Sequence, residues 1–294
     1  MEQRHRKLAV VGLGGIGGGV ARRLLDAGYP TTVYNRTAEK AKSLVQAGAT
    51  GAATAEEAAA SADVVLLSLS DEDAVEEILF GRMARVLKPG TVIVELSTVS
   101  PTYARRAAQR LAAIGVRRVE ACVIGNPQMA RLGELRIFAA GESGDVADVA
   151  DVLAAMGRHG TLHLGPTGRA TAMKLSFNLL LGLQTAGLAE AVAYAEQAGI
   201  DRELLLTAVE KSGWRSPVLN FRAEFMRTRR YEPAGFRARL MAKDLGLAVA
   251  DAELGGLSLP LTERAARRFG DAVAAGRGDK DAAVVVEIPP GSPR

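Results

Sequence analysis

The sequence has one cysteine, Cys122, among 294 residues. An internal disulfide framework is excluded, and a reducing, cytoplasmic compartment is the expectation. Three histidines (His5, His159 and His163) and that thiol offer no zinc-ligand spacing, so no metal is expected. Aromatic residues are 4% of the chain, with one tryptophan, too few for folds built on repeated aromatic motifs. No unbroken apolar run reaches the roughly 18 residues that cross a bilayer, so no membrane is expected. The basic start, Met1–Lys7, leads straight into a strand-like segment and lacks the apolar stretch of a signal peptide. Charge of one sign is scarce too: 37 Lys and Arg face 33 Asp and Glu, a net +4 spread along the chain, which is no footprint for nucleic acid. What is present is ordinary for a globular protein, with 48% apolar and 24% charged residues. The length suits two domains.

Leu8–Val11 is a short apolar run ending in glycines, the pattern of a strand buried on both faces. A helical pattern follows and stops at Gly28. Further strands are expected at 31–34, 63–68, 91–95 and 116–121, with helices at 38–47, 55–60 and 101–114. This alternation means an α/β domain with a parallel, doubly wound sheet. The rhythm changes after Leu164. Gly165–Gly168 is a break, and 170–198 reads as one long helix. Helical patterns follow at 201–211, 217–227, 235–254 and 260–275, with no strand. The expected organisation is an N-terminal Rossmann domain over 1–164, a helical domain over 165–288 opened by the long connecting helix, and a disordered tail over 289–294. The long helix is too apolar for a monomer to cover alone, which predicts a homodimer or higher homo-oligomer.

Gly12, Gly14 and Gly17, with Gly15 and Ile16 between them, form a G-x-G-x-x-G that follows a strand and opens a helix. In that context it marks a dinucleotide site. The first glycine permits the tight turn, the second lets the backbone approach a pyrophosphate, and the third allows close helix–strand packing. An acidic residue that would hold a ribose 2′-hydroxyl is expected about 20 residues on. The turn instead reads Asn35, Arg36, Thr37. A guanidinium matches a 2′-phosphate, so the expected cofactor is NADP(H) rather than NAD. The plain alternative is a solvated surface arginine.

Five stretches together resemble the β-hydroxyacid dehydrogenase family over about residues 7–285: Gly12–Gly17; Ser97–Pro101, similar to the family's S-T-x-x-P; Glu120–Pro127 with 130–135 and Gly141 behind it; Gly165–Asn178; and 236–245. That family includes 3-hydroxyisobutyrate dehydrogenases and glyoxylate/succinic semialdehyde reductases and, more distantly, 6-phosphogluconate dehydrogenases and imine reductases. The resemblance implies a Rossmann domain, a long helix and a helical domain, and it makes Lys174 the counterpart of the family's catalytic lysine.

The residues agree with that role. Lys174 and Asn178 share a helix face among apolar neighbours. Burial would lower the lysine's pKa towards the working range of a general acid/base. Asn178 is expected to hydrogen-bond the lysine and the substrate oxygen. Phe236, Leu240, Lys243 and Asp244 are spaced as one helical stripe. Lys243 is expected near the cofactor, and Asp244 to hold the cofactor or Lys174. Thr98, Ser68 and Leu69 follow strands at the carboxyl edge where open sheets bind ligands. Ile124, Gly125 and Asn126 are the expected substrate segment, and here the chain departs from the family's D-A-P-V-S-G-G: the serine position is Ile124 and the second glycine is Asn126. Asn126 can donate to a substrate and Ile124 cannot, which puts a small 3-hydroxy acid in doubt. Cys122 reads as a buried small hydrophobe rather than a nucleophile. Trp214 with Arg215 lines the substrate side or simply packs. The basic run Arg227–Arg230 reads as a solvated face.

The expected function is NADP-dependent interconversion of a carbonyl and an alcohol on a small-molecule substrate, with Lys174 as the proton carrier. The first alternative is imine reduction, and the second is an NADP-binding module without chemistry.

Overall fold

The computed structural model describes residues 6–289. The expected tail from 290 onward, and His5, lie outside them. The chain divides into two compact units, Met1–Lys174 and Leu175–Arg294.

The first unit holds strands β1 (Leu8–Val11), β2 (Thr31–Tyr34), β3 (Thr50–Gly51), β4 (Val64–Leu67), β5 (Val92–Glu95), β6 (Arg117–Ile124), β7 (Arg136–Ala140) and β8 (Thr161–His163). Its helices are α1 (Gly15–Asp26), α2 (Lys42–Gln46), α3 (Ala55–Ala59), α4 (Glu72–Val75), α5 (Pro101–Ala112), α6 (Pro127–Leu132), α7 (Ser143–Asp148) and α8 (Ala150–Met156). The strands form one eight-stranded sheet in the order β3-β2-β1-β4-β5-β6-β7-β8. Strands β1 to β6 run parallel, and β7 returns antiparallel to β6. The strand order reverses between β1 and β4, the switch point where such sheets leave a ligand crevice.

Every residue of β1, β4 and β5 is buried, because helices cover both faces. Successive side chains alternate between two cores. Leu8, Val10, Leu66 and Val94 pack with Val20 and Leu24 of α1. Ala9, Val11, Leu67 and Ile93 pack with Ala58 of α3 and Leu111 of α5. A third, small cluster joins Cys122, Ile124 and Phe138 to Ala170 and Met173.

The five expected strands are all present, and the structure adds β3, β7 and β8. β3 and β8 have two and three residues and lie at the two edges of the sheet, so neither shows a buried run. β7 is buried over its last four residues like β1, but it ends in Ala139 and Ala140, which have low strand propensity.

The second unit contains α10 (Arg202–Glu210), α11 (Pro217–Thr228), α12 (Ala238–Leu254) and α13 (Pro260–Ala272), and most of α9 (Arg169–Gln197). Among the described residues no strand follows β8. Its core gathers Ala189, Val192, Leu206, Met226, Met241, Leu245 and Phe269 around the buried turn 282–287. Among the described residues, α9 alone has the length and apolar character to cross a bilayer, with 44% of its most apolar window buried inside the protein. In the basic run at 227–230, Thr228, Arg229 and Arg230 are exposed as a solvated face requires, and Arg227 differs. Arg227 is an ion-pair hub for Glu203 (2.8 Å), Glu210 (2.8 Å) and Glu224 (2.7 Å). Folding α10 against α11 brings those carboxylates together, which spacing along one helix cannot reveal.

Candidate active site

In the first unit, the loops that leave β1, β4, β5 and β6 share one edge of the sheet, because these four strands are adjacent and parallel. That edge carries Gly12–Gly17, Ser68 and Leu69, Thr98, and Ile124–Asn126.

The glycine loop is tight on one side and open on the other. Gly12 has φ +95°, and a β-carbon there would lie 2.3 Å from the Ser68 carbonyl oxygen. A β-carbon on Gly17 would lie 2.0 Å from the Gly12 carbonyl oxygen. Both positions admit only glycine, as the roles of a tight turn and close packing require. Around Gly14, in contrast, a β-carbon would meet nothing within 4 Å. Gly14 caps α1 with no side-chain hydrogen bond. The first turn of α1 therefore presents backbone N–H groups without a protein cap, a ready anion site. This chemistry fits a dinucleotide pyrophosphate.

The β2 turn is tied to this loop. Asn35 Oδ1 accepts from Leu13 N at 2.9 Å, and Asn35 Nδ2 donates to the Thr37 carbonyl at 3.0 Å. Asn35 thus fixes the loop, while Arg36 and Thr37 are exposed beside it. On the next loops, Leu69 N donates to Ser97 Oγ at 2.8 Å, which links the β4 and β5 turns. Thr98 is half-buried between the buried Ser97 and Val99.

The segment after β6 is folded by its own side chains. Asn126 Oδ1 accepts from Met129 N at 3.0 Å and caps α6. Its amide nitrogen is the end left for a donor role. Ile124 is half-buried in the cluster with Phe138 and Met173, and Gly125 is exposed. Lys174 is half-buried, and its Nζ donates to the Val123 carbonyl at 2.8 Å, at the end of β6. The expected lysine and substrate segment are therefore brought together.

Beneath this edge lies a charged cluster that sequence reasoning missed: Glu95, Arg118 and Glu120, each 5% exposed or less. Glu95 and Glu120 are register partners on β5 and β6. Arg118 Nη1 reaches Glu120 Oε1 at 3.4 Å. Glu95 Oε1 accepts from Ser97 N at 3.1 Å. Burial pushes the Glu95 carboxyl above the usual carboxylate range, with Arg118 opposing. The available signal was a glutamate closing the apolar run of β5 and another interrupting the middle of β6. Cys122 is 2% exposed, and burial pushes its thiol up to about 12, the state of an inert hydrophobe.

In the second unit, Asn178 and Asp244 are buried together. Asn178 Nδ2 donates to Asp244 Oδ2 at 2.5 Å, and Lys243 Nζ lies 2.9 Å from Asp244 Oδ1. The amide donor of Asn178 is thus engaged by Asp244. Phe236 departs from the expected stripe. α12 begins only at Ala238, because buried Asp281 accepts from Gly235 N and Phe236 N and holds this segment out of the helix. Leu240, Lys243 and Asp244 do lie on α12. Trp214 is 80% exposed.

The chain matches two known family patterns in succession. Residues 7–165 match the NAD binding domain of 6-phosphogluconate dehydrogenase. Residues 168–288 match the family described as NAD-binding of NADP-dependent 3-hydroxyisobutyrate dehydrogenase. A 3-hydroxyisobutyrate dehydrogenase of Pseudomonas aeruginosa is 35% identical over 272 residues, covering 89% of this chain and 90% of the relative. Among solved structures, the Salmonella typhimurium 3-hydroxyisobutyrate dehydrogenase superposes with a TM-score of 0.88 at 29% identity, covering 96% of this chain and 99% of that one. A reductive aminase of Aspergillus terreus, in complex with NADPH and ethyl levulinate, superposes with a TM-score of 0.63 at 27% identity, covering 96% and 99%. With its glycine loop at the sheet's switch point and both family patterns end to end, the chain belongs to the β-hydroxyacid dehydrogenase family, and it is an enzyme of the NAD(P)-dependent dehydrogenase type.

Proposed function

We propose that this enzyme uses NADP(H) to interconvert a carbonyl and an alcohol on a small molecule, with Lys174 carrying the proton. The observation that supports it most is Lys174 Nζ on the Val123 carbonyl. It sets a primary amine beside the segment that would receive the substrate, on the edge that carries the glycine loop. The first turn of α1, Gly14 to Gly17, would hold the pyrophosphate. Arg36 and Thr37 would hold the 2′-phosphate, with Asn35 fixing the turn; Ser68, Leu69 and Thr98 would border the nicotinamide side. When bound, NADPH supplies the hydride.

In reduction, Lys174 gives a proton from Nζ to the substrate oxygen as the carbon is reduced. In oxidation it takes that proton back. The Val123 carbonyl orients the amine so that the transfer starts from a fixed geometry. Asn178, one turn further along α9, is held through its amide nitrogen by Asp244, which Lys243 pairs, and its amide oxygen would serve the substrate hydroxyl. Lys243 also serves the cofactor, Phe236 contributes to the substrate side, and the protein works in the cytoplasm as a homodimer or higher homo-oligomer.

A second reading is reduction of a C=N bond. It is favoured by Ile124, an apolar residue where a serine would anchor a substrate carboxylate, and by the likeness to the reductive aminase. NADPH oxidation against a panel separates the two readings: carboxylated semialdehydes, uncharged aldehydes and ketones, and cyclic imines, with NADH as control. Carbonyl reduction is expected, and exclusive turnover of imines would overturn the first reading. Lys174→Ala is expected to keep NADPH binding and lose turnover about 100-fold or more; near-normal turnover would remove the lysine from the mechanism. Arg36→Glu is expected to weaken NADPH about tenfold or more while sparing NADH. Equal loss of both would leave NADP preference unsupported.

A further inference from the structure

Glu120 is a buried acid that this mechanism does not use. It lies mid-strand in β6, 1% exposed, and its two oxygens both turn to the start of α9. Oε1 accepts a short hydrogen bond from Gly168 N. Oε2 accepts from Thr171 N at 3.1 Å and from Thr171 Oγ1 at 3.0 Å. The first N–H groups of a helix have no partner within it, and a serine, threonine or aspartate at the cap is the local remedy. Here the cap position is Gly168, with φ +99°, and a β-carbon there would lie 2.7 Å from Arg105 Nη1. The positive φ strains any side chain at that position, and the cap comes from the sheet.

The remedy is costly. A carboxylate loses several kcal/mol of hydration on burial, and the arginine beside it, Arg118, approaches only to 3.4 Å. A neutral cap would relieve the helix end without that cost. What the carboxylate adds is placement, because it grips the helix through two amides and a hydroxyl at once. One turn beyond Thr171, the same helix sends Lys174 back to the same strand, to the Val123 carbonyl. Between these two ties, Ala170 and Met173 pack on Cys122 and Ile124. Strand β6 thus fixes the height and rotation of the helix turn that bears the amine.

We propose that Glu120 is a positioning residue, which caps α9 from within the sheet and so sets where Lys174 Nζ stands over the end of β6. The role rests on Lys174 being the proton carrier. The test compares Glu120→Gln, Lys174→Ala and the double variant in the full-length protein, with single-turnover NADPH oxidation on the panel substrate of highest rate. Glutamine keeps the volume and one acceptor oxygen but cannot accept from both amides.

The expected result is a fall of about tenfold or more in the hydride-transfer rate, with the NADPH dissociation constant within about twofold of the parent. In the Lys174→Ala background, Glu120→Gln should cost nothing further, since its effect runs through the lysine. An equal loss in both backgrounds overturns the positioning role. Loss in Lys174→Ala with parental rates in Glu120→Gln overturns it while leaving the proton carrier intact. Normal rates in Lys174→Ala overturn the proton carrier, and the positioning role with it.

Hydrogen exchange needs no substrate. The Gly168 and Thr171 amides should exchange about tenfold faster in Glu120→Gln, and unchanged exchange overturns the cap. Should Glu120→Gln not fold, Thr171→Val removes one of the ties at constant shape. Its rate should fall by a smaller factor, again only when Lys174 is present; a parental rate overturns the role.

Discussion

Each unit holds a loop in place with a buried carboxylate, and the two are compensated differently. Asp281, in the second unit, is fully buried and accepts from Arg222 Nη1 at 2.5 Å on both oxygens. It also accepts from Gly235 N, Phe236 N and Ala283 N. One carboxylate faces one guanidinium there and both Asp281 oxygens are filled, while among the described residues Arg222 Nε makes no hydrogen bond. In the first unit, Glu95 and Glu120 share one arginine, Arg118. Among the described residues, Glu95 Oε2 and Arg118 Nε and Nη2 make no hydrogen bond. The site with one arginine per carboxylate serves structure. The under-compensated one lies under the ligand edge, where a strained electrostatic balance is retained because it places functional groups.

Three experiments would break or sharpen that contrast. The largest effect is expected for Asp281→Ala. It strands Arg222 without its partner charge and three backbone N–H groups without an acceptor, and loss of about 3–5 kcal/mol is expected. Urea unfolding checks it, and a loss below about 1 kcal/mol would mean that the pair is not the anchor of this unit.

A smaller effect with a distinctive pH dependence is expected for Glu95→Gln. Burial raises the folded-state pKa of Glu95 above its ordinary value of 4.5. The folded protein then holds a proton that the unfolded chain releases. Stability from this group is full below pH 4.5 and is lost as pH rises through the raised value. The variant should therefore gain in Tm relative to the parent as pH rises from acidic towards neutral. A parallel pair of Tm–pH curves would contradict the shift.

The smallest effect is expected for Cys122→Ala. It removes a buried thiol that is inert in the first unit, and about 1 kcal/mol of packing should go with it. Turnover should stay within about twofold of the parent, and abolished turnover would return the thiol to the mechanism.

The fold was largely legible. β1, β4 and β5 are buried on both faces, so their sequences are unbroken apolar runs, and Gly12–Gly17 carries its own backbone requirement. Helix α9 was predicted over 170–198 and spans Arg169–Gln197. β3 and β8 were not legible, since edge strands of two and three residues leave little periodic signal, and β7 ends in alanines of low strand propensity. Lys174 was singled out by its apolar neighbours and by family resemblance, and the structure gives it the Val123 carbonyl. Glu120 entered only as the start of the Glu120–Pro127 stretch, because nothing local distinguishes a capping acid from a surface one. Phe236 was misplaced on the helix because the acid that stops α12 short of it, Asp281, lies far along the chain.

By itself the sequence determined what depends on neighbours in the chain: strand and helix periodicity, the glycine turn, and the cation at Arg36 that replaces an acid. Only the tertiary structure decided what depends on residues distant in sequence. It joined Asn35 to Leu13, Glu120 to Thr171, Lys174 to Val123 and Asn178 to Asp244. Hydrophobic patterning repeats along a helix or strand and can be read locally. A hydrogen bond between side chains dozens of residues apart leaves no period, and it exists only once the sheet and helices have brought the two ends together.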